Sequence, residues 1–165
     1  MVTQAQASLI DQKKMDTKDP ATSDRELHLN KILDAQIELV WRVFTEPDHL
    51  ANWWGPDGFT NTIETMDVKP GGDWVLTMHG PDGKNYKNRA IYREVIPLEK
   101  IVFDHFAPAF TTTLLFEPRG TQTNLSWKMV FETVELFTVV VKTFKADEGL
   151  VQNINKLADY LSKVH

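Results

Sequence analysis

The chain has 165 residues, the size of one domain, and such a domain buries about two-thirds of the surface that its unfolded chain exposes. It contains no cysteine, which excludes a disulfide framework, thiolate metal sites and a cysteine nucleophile. Eighteen basic and 23 acidic residues give a net charge of −5, so overall charge does not favour nucleic acid or anionic lipid. Five tryptophans and nine phenylalanines are the conspicuous feature of the composition.

Residues 1–22 are polar and predict a tail, because they bury too little apolar surface to offset the entropy of ordering. A short helix around Ala7–Met15 is compatible with this segment. No window approaches the ~20 apolar residues of a membrane-spanning helix, and the apolar run at residues 8–10 is too short for the core of a signal peptide. We therefore expect a cytoplasmic protein with one domain over residues 23–165.

The first segments of that domain predict a strand and two short helices. Apolar and polar residues alternate over 25–33, as in a strand with one buried and one solvent-exposed face. Apolar side chains then recur at helical spacing over 37–44, and Asp34 is the expected N-cap. Thr45 is expected to cap a second short helix that ends before Gly55.

The middle of the chain predicts an antiparallel meander. Segments of period-two alternation are separated by short turns rich in glycine and proline, and short turns join antiparallel neighbours. The predicted strands are 59–68, 73–79, 84–95, 101–106, 111–116 and 121–131.

Two helices are predicted near the C-terminus. The β-branched run over 134–144 also fits a strand, but its position favours a short helix. After Asp147, an apolar residue at every third or fourth position from Leu150 to Val164 forms the stripe of an amphipathic helix of about five turns. Such a helix needs an apolar surface to cover. The predicted fold class is therefore α+β, a curved antiparallel sheet of six to seven strands around a long C-terminal helix.

The spacing of reactive residues disfavours several kinds of site. His28, His49, His79 and His105 are isolated from one another, so no metal-binding motif is present. No serine lies in a nucleophile elbow, and the glycine-rich turns lack phosphate-binding spacing. No basic stripe accompanies the aromatic residues, which argues against nucleic-acid binding.

The aromatic residues lie on the elements that border the wedge between sheet and helix, which predicts an apolar pocket for a small molecule. Asn88 and His105 are the polar side chains expected there. His105 is the one candidate acid–base group, and a hydrogen-bonded histidine at the edge of the sheet is the alternative. For the aromatic residues, ordinary core packing is the alternative. The candidate ligand-binding residues are Trp53, Trp54, Trp74, Leu76, Met78, Tyr86, Asn88, Tyr92, Phe103, His105, Trp127 and Met129.

Several motifs are similar to those of a known family. The run Ala35–Pro47 is followed by Trp-Trp-Gly-Pro at 53–56, by Pro-Gly-Gly-Asp-Trp at 70–74 and by Glu-Gly-Leu at 148–150. Over residues 24–164 the chain resembles the START-like (SRPBCC) superfamily, within it the family related to the activator of the heat-shock protein 90 ATPase. The resemblance implies a helix-grip (Bet v-like) fold with a deep apolar cavity. It carries over no catalytic residues, and the block at 53–56 is interpreted as framework that holds the short helices against the sheet.

The superfamily includes lipid and sterol carriers, polyketide cyclases and proteins that sequester reactive natural products. The leading hypothesis is a binding protein for a small hydrophobic molecule, aromatic, polycyclic or lipid-like. The alternatives are a polyketide cyclase or dehydratase that uses His105, and a module that binds a chaperone. The co-chaperone that gives the family its name also requires a separate N-terminal domain. Because only about 23 residues precede the fold here, we do not expect a chaperone partner. The resemblance to the family still implies a role in the stress response.

No cofactor, metal ion, nucleic acid or membrane insertion is expected. The sequence does not decide between a monomer and a homodimer, since exposed apolar rows also suit an interface between two copies.

Overall fold

The computed structural model describes residues 20–164. Its strands are β1 (Glu26–Leu33), β2 (Thr60–Met66), β3 (Asp73–His79), β4 (Asn85–Ile96), β5 (Lys100–His105), β6 (Phe110–Arg119) and β7 (Gln122–Phe131). Its helices are α1 (Ile37–Thr45), α2 (Pro47–Leu50), α3 (Val134–Lys142) and α4 (Ala146–Leu161), and a 3-10 turn over Ser23–Arg25 precedes β1. All strands pair antiparallel in one seven-stranded sheet of order β1-β7-β6-β5-β4-β3-β2. The predicted α+β, helix-grip architecture is confirmed.

The short helix predicted over 134–144 is present as α3. Thr133 caps it, because its hydroxyl accepts a hydrogen bond from the Leu136 N–H at 3.0 Å. The predicted tail lies almost wholly outside the described residues, and the predicted helix at Ala7–Met15 lies entirely outside them. Both therefore stay predictions, as does the domain boundary at residue 23.

Three predicted helix starts are wrong. Gln36 rather than Asp34 precedes α1, and its side chain makes no capping hydrogen bond. Thr45 closes α1 instead of opening α2, because Pro47 supplies the fixed φ of a first helical residue and sets the start of α2. Asp147 lies inside the first turn of α4 rather than before it.

β6 is longer than predicted, because the segment expected to be a turn still pairs with β7. Pro118 lies opposite Thr123 and Arg119 opposite Gln122, so the reversal itself is confined to Gly120 and Thr121.

The core lies on the concave face of the sheet, since alternate residues of a strand point to the same side. Trp74 and Leu76 of β3 are buried, and the residues between and beside them are only partly so. The apolar side chains of α4 from Leu150 to Leu161 pack along this face, and Phe44 of α1 covers one end of the face. Among the helices described, none is long and apolar enough to cross a bilayer.

The turn before β3 requires glycine for steric reasons. A Cβ on Gly72 would lie 1.9 Å from the carbonyl oxygen of Asp67, far inside van der Waals contact. The same turn is bonded to β4, where the Tyr92 N–H donates to the Gly72 oxygen at 3.0 Å and the Gly71 N–H to the Tyr92 oxygen at 2.7 Å. These contacts fix the position of Trp74 at the start of β3.

Candidate functional site

The wedge between the sheet and α4 contains an open cavity of about 260 Å³. Its floor is the concave face of β3 to β7, and its roof is the first two turns of α4 with the segment before them. The lining residues on the sheet are Trp74, Leu76, Met78, Asn88, Arg89, Ala90, Phe103, His105, Phe110, Thr112, Trp127 and Met129. The other lining residues are Trp54, Gly55, Pro56, Pro108, Phe144, Lys145, Ala146, Gly149, Leu150 and Asn153.

The opposite end of the wedge is filled by aromatic packing around Phe44. Its ring contacts those of Trp53, Phe116 and Trp127 edge-on, at centroid distances of 4.8, 5.2 and 5.9 Å. The void that remains beside Phe44 measures about 10 Å³, room for about one water molecule. The open cavity therefore occupies only the end of the wedge near the start of α4.

Four rings form a continuous surface that we call the aromatic wall: Trp54, Trp74, Phe103 and Trp127. Trp54 stacks on Trp127 with centroids 5.4 Å apart and planes 19° apart. Trp74 meets Trp54 edge-on at 4.9 Å and Phe103 edge-on at 5.1 Å. Edge-on and offset arrangements suit the ring quadrupoles, so the wall holds its own shape beside the cavity.

Asn88 and His105 form a polar pair on this otherwise apolar floor. The Nδ1–H of His105 donates to the Pro108 carbonyl oxygen at 2.7 Å, and Nε2 lies 2.8 Å from the Oδ1 of Asn88. The Phe110 ring stacks on the imidazole at 4.6 Å. Burial lowers the pKa of His105 below its usual 6.5, although the hydrogen bond to Pro108 opposes this shift. Both ring nitrogens already face protein partners, so the geometry leaves no free nitrogen for proton transfer.

A second cleft of about 330 Å³ lies on the other side of His105 and is more polar. Arg93 and Asp104 form an ion pair there, and the Thr111 hydroxyl donates to the Asp104 carboxylate at 2.6 Å. Burial alone would raise the pKa of Asp104, but the hydrogen bonds from Thr111 and Arg93 outweigh it and lower that pKa. The charges of this ion pair are thus already satisfied, which makes the cleft the weaker candidate for a ligand site.

Nine of the twelve predicted ligand-binding residues line the cavity: Trp54, Trp74, Leu76, Met78, Asn88, Phe103, His105, Trp127 and Met129. Trp53, Tyr86 and Tyr92 do not line it. Placement beside the cavity is a structural finding, whereas a role in ligand binding stays a prediction for all of them.

Trp53 lies outside the cavity because it belongs to the core between α1 and α2. It is 0% exposed, and its indole N–H donates to the Val43 carbonyl oxygen at 3.0 Å. Within a helix this oxygen would accept from the N–H of residue 47, which is Pro47 and has none. Trp53 therefore satisfies a carbonyl group that the proline leaves unpaired.

The two tyrosines are separated from the cavity for different reasons. Tyr92 lies behind the aromatic wall, with Trp74 stacked on it at 5.8 Å, and its burial raises the pKa of its hydroxyl. Tyr86 shares the face of Asn88 but lies beyond the core, with 42% of its surface exposed. Its hydroxyl donates to the Asp82 carboxylate in the neighbouring turn at 2.6 Å.

Several lining residues are not among those predicted from the sequence. The alternation of β6 would have indicated Phe110 and Thr112, since both point to the same face as the buried Leu114. Phe144 and Lys145 lie in the short connection between α3 and α4, where no periodic pattern predicts orientation. Lys145 has φ of 54° and ψ of 45°, a left-handed conformation that is uncommon for residues other than glycine.

Three lining residues carry a buried polar atom that has no hydrogen-bond partner in the part of the chain that the structure describes. These atoms are the Nε1 of Trp74, the Nε1 of Trp127 and the Oγ1 of Thr112. All three residues are at most 3% exposed. Within residues 20–164, likewise, no group of three histidine, aspartate or glutamate side chains could hold a metal ion.

The family model described as "Activator of Hsp90 ATPase homolog 1-like protein" matches residues 34–162. The chain belongs to this family. No curated protein matches the sequence.

Solved structures of similar proteins show the same fold as this AHSA1-like chain. A protein from Arthrobacter aurescens is 22% identical with a TM-score of 0.81, and the alignment covers 91% of this chain and 93% of that one. A protein from Nitrosomonas europaea is 22% identical with a TM-score of 0.78, covering 86% and 96%. The AHSA1 protein from Silicibacter pomeroyi is 20% identical with a TM-score of 0.70, covering 85% and 99%.

In this AHSA1-like chain, the Trp-Trp-Gly-Pro block at 53–56 has two roles rather than one. Trp53 is framework, as expected. Trp54, Gly55 and Pro56 line the cavity, and Gly55 also donates its N–H to the Oδ1 of Asn153 on α4 at 3.1 Å. The block therefore joins α4 to the aromatic wall.

Proposed function

We propose that this AHSA1-like protein binds a small hydrophobic molecule of one or two aromatic rings in the cavity beneath α4. The observation that supports the proposal is that the aromatic side chains leave about 260 Å³ open instead of filling the wedge. An apolar cavity of about 150 Å³ accepts benzene, so this one has room for a bicyclic ring system. An apolar ligand gains roughly 25 cal/mol for each Å² removed from water, which is sufficient for micromolar binding after the costs of association.

A thermal-shift series graded by ligand size tests the proposal. Naphthalene-sized probes are expected to raise the melting temperature of the full chain, whereas sterols are expected to exceed the cavity and have no effect. At a hundred times its Kd, a ligand stabilises the fold by about 2.7 kcal/mol, or roughly 5 °C or more at about 2–4 °C per kcal/mol for this size. No shift with any probe would overturn the proposal.

Phe144 offers a variant of the site that leaves the core intact. It lines the cavity, yet 73% of its surface is exposed, so Phe144→Ala is expected to weaken naphthalene binding with little effect on stability. Val139→Ala is the matched control, because Val139 is 48% exposed on α3 and does not line the cavity. Equal affinities for both variants would exclude Phe144 from the site.

A polyketide cyclase-like enzyme is the second candidate, favoured by the position of His105 on the cavity floor. The engagement of both ring nitrogens argues against it. Conversion of a polyketide-like substrate that depends on pH, and that is lost in His105→Ala while binding is retained, would make the protein an enzyme.

The family name refers to activation of the Hsp90 ATPase, which is a third candidate for this chain. No described feature of the cavity supports it. An Hsp90 ATPase rate that rises on addition of the purified chain would favour this function over ligand binding.

A further inference from the structure

We infer that the ligand of this cavity is an aromatic carboxylate, an apolar ring body that presents acceptor oxygens and carries negative charge. This inference rests on the proposed function and names the chemical class of its ligand. It follows from two separate observations: the hydrogen-bonding groups of the lining that lack partners, and the charges of the lining.

The lining has unpartnered donors. The indole N–H groups of Trp74 and Trp127 and the hydroxyl of Thr112 have no partner within residues 20–164. These residues lie on β3, β7 and β6, in the alternating set that faces the concave side. A buried donor without an acceptor is costly, and indole has no capacity to accept. These three atoms are buried even from the empty cavity, so a ligand oxygen reaches them only when the surrounding side chains shift. A hydrogen bond formed in this way removes that cost.

The two side-chain amide oxygens of the lining and the carbonyl oxygen of Pro108 are already engaged. The Oδ1 of Asn153 accepts from the Gly55 N–H at 3.1 Å. The Pro108 carbonyl oxygen accepts from His105, and the Oδ1 of Asn88 faces the Nε2 of His105 at 2.8 Å. A ligand that brings a donor, such as an amine, therefore finds no free partner among these groups.

The charge of the lining has one sign. Among the described residues no aspartate or glutamate lines the cavity, although the chain has a net charge of −5. Arg89 contributes no charge to the interior, because it alternates with the inward-facing Asn88 and Ala90 and pairs with Asp73 at 3.0 Å. Lys145 remains as the cation of the lining, and it forms no ion pair with any residue in 20–164.

The charge of Lys145 can be removed by a substitution that leaves the backbone conformation unchanged. Its left-handed backbone is tolerated by asparagine better than by most residues. Lys145→Asn therefore removes the charge without added backbone strain. Lys142→Asn is the matched control, because Lys142 is exposed at the end of α3 and does not line the cavity.

Isothermal titration calorimetry on the full chain tests the inference with three probes of one size: 2-naphthoate, naphthalene and 2-naphthylmethylammonium. We expect 2-naphthoate to bind about tenfold or more tightly than naphthalene, since a hydrogen bond to a charged acceptor exceeds one to a neutral group. The ammonium probe is expected to bind most weakly. Rising salt is expected to reduce this preference, since the charge of Lys145 is exposed to solvent.

Thr112→Val supplies a second variant, because valine has nearly the shape of threonine and lacks the hydroxyl. This variant is expected to lower the affinity for 2-naphthoate by roughly tenfold and to leave the affinity for naphthalene unchanged. Lys145→Asn is expected to lower the affinity for 2-naphthoate alone. Lys142→Asn is expected to change the affinity for neither probe.

The possible outcomes separate the two proposals. If none of the three probes binds, the proposed function fails and the inference with it. If all three bind with equal affinity, or the ammonium binds most tightly, the cavity is a binding site but the inferred ligand class is wrong. A preference for 2-naphthoate that survives both variants would support an aromatic carboxylate as the ligand class but would overturn the assignment of Thr112 and Lys145 as the groups that recognise it.

Discussion

His105 is the histidine on the floor of the cavity, and both of its ring nitrogens face acceptor oxygens. Nδ1 lies 2.7 Å from the Pro108 carbonyl oxygen, and Nε2 lies 2.8 Å from the Oδ1 of Asn88. The Nδ2–H of Asn88 donates to the Tyr86 carbonyl oxygen at 3.2 Å, which holds Oδ1 toward the ring. Two acceptors suit the protonated imidazolium, but burial disfavours its charge and lowers the pKa of His105.

This lowered pKa predicts a pH dependence of stability. Because burial lowers the pKa of His105 in the folded state, the unfolded chain takes up a proton at higher pH. The stabilisation from this group is complete above pH 6.5 and is lost as pH falls through the folded-state pKa. We expect the melting temperature of the wild type to fall more between about pH 7 and about pH 5 than that of His105→Gln. Parallel profiles in differential scanning calorimetry would refute this.

At the scale of elements, Gly149 is the unusual position of α4. A glycine inside a helix costs about 1 kcal/mol relative to alanine, and a Cβ at Gly149 would meet the Pro56 ring at 3.4 Å, which is ordinary contact. We therefore expect Gly149→Ala to raise the free energy of unfolding by up to about 1 kcal/mol, measured by urea denaturation. A lower free energy of unfolding would mean that Pro56 and α4 cannot separate by even a few tenths of an ångström.

The type and order of the elements are predictable from the sequence because each element has a clear hydrophobic period. α4 and β3 show this best, since their apolar stripes are evident in the amino-acid sequence alone. Helix starts are less predictable, because Asp34 and Thr45 have the chemistry of caps while Pro47 determines where α2 begins. The turn expected around Pro118 is likewise overridden by pairing with β7.

The candidate site is predictable in part, for a related reason. Alternation along β4 indicates which face a residue occupies, but not how far the core extends along that face. Tyr86 and Tyr92 share the face of Asn88, yet one lies beyond the core and the other behind Trp74. Lys145 could not be predicted at all, because the connection between two helices has no period.

At the scale of the whole molecule, the two ends of the wedge differ in how tightly they are packed. The end of the wedge beside α1 contains a void of about 10 Å³, whereas the end near the start of α4 contains a cavity of about 260 Å³. A ligand therefore adds contacts at one end only. In hydrogen exchange, we expect a bound naphthalene-sized probe to slow the amides of the first two turns of α4 and the turn between β5 and β6. The amides of α1 should change little.

Uniform protection across α1 and α4 would contradict this picture, because it would indicate a general stabilisation instead of a local one. The apo protein provides the reference for each amide, and a sterol-sized compound that does not bind provides the control for solvent effects.

The packing of Trp54 against other indoles has a spectroscopic consequence. Its ring centroid lies 5.4 Å from that of Trp127, 4.9 Å from that of Trp74 and 5.5 Å from that of Trp53. Indoles this close couple their electronic transitions, so the group should give a signed doublet in circular dichroism. A guest ring that packs against one of these indoles would alter the amplitude of that doublet. The protein thus carries an intrinsic optical reporter of cavity occupancy that requires no added label.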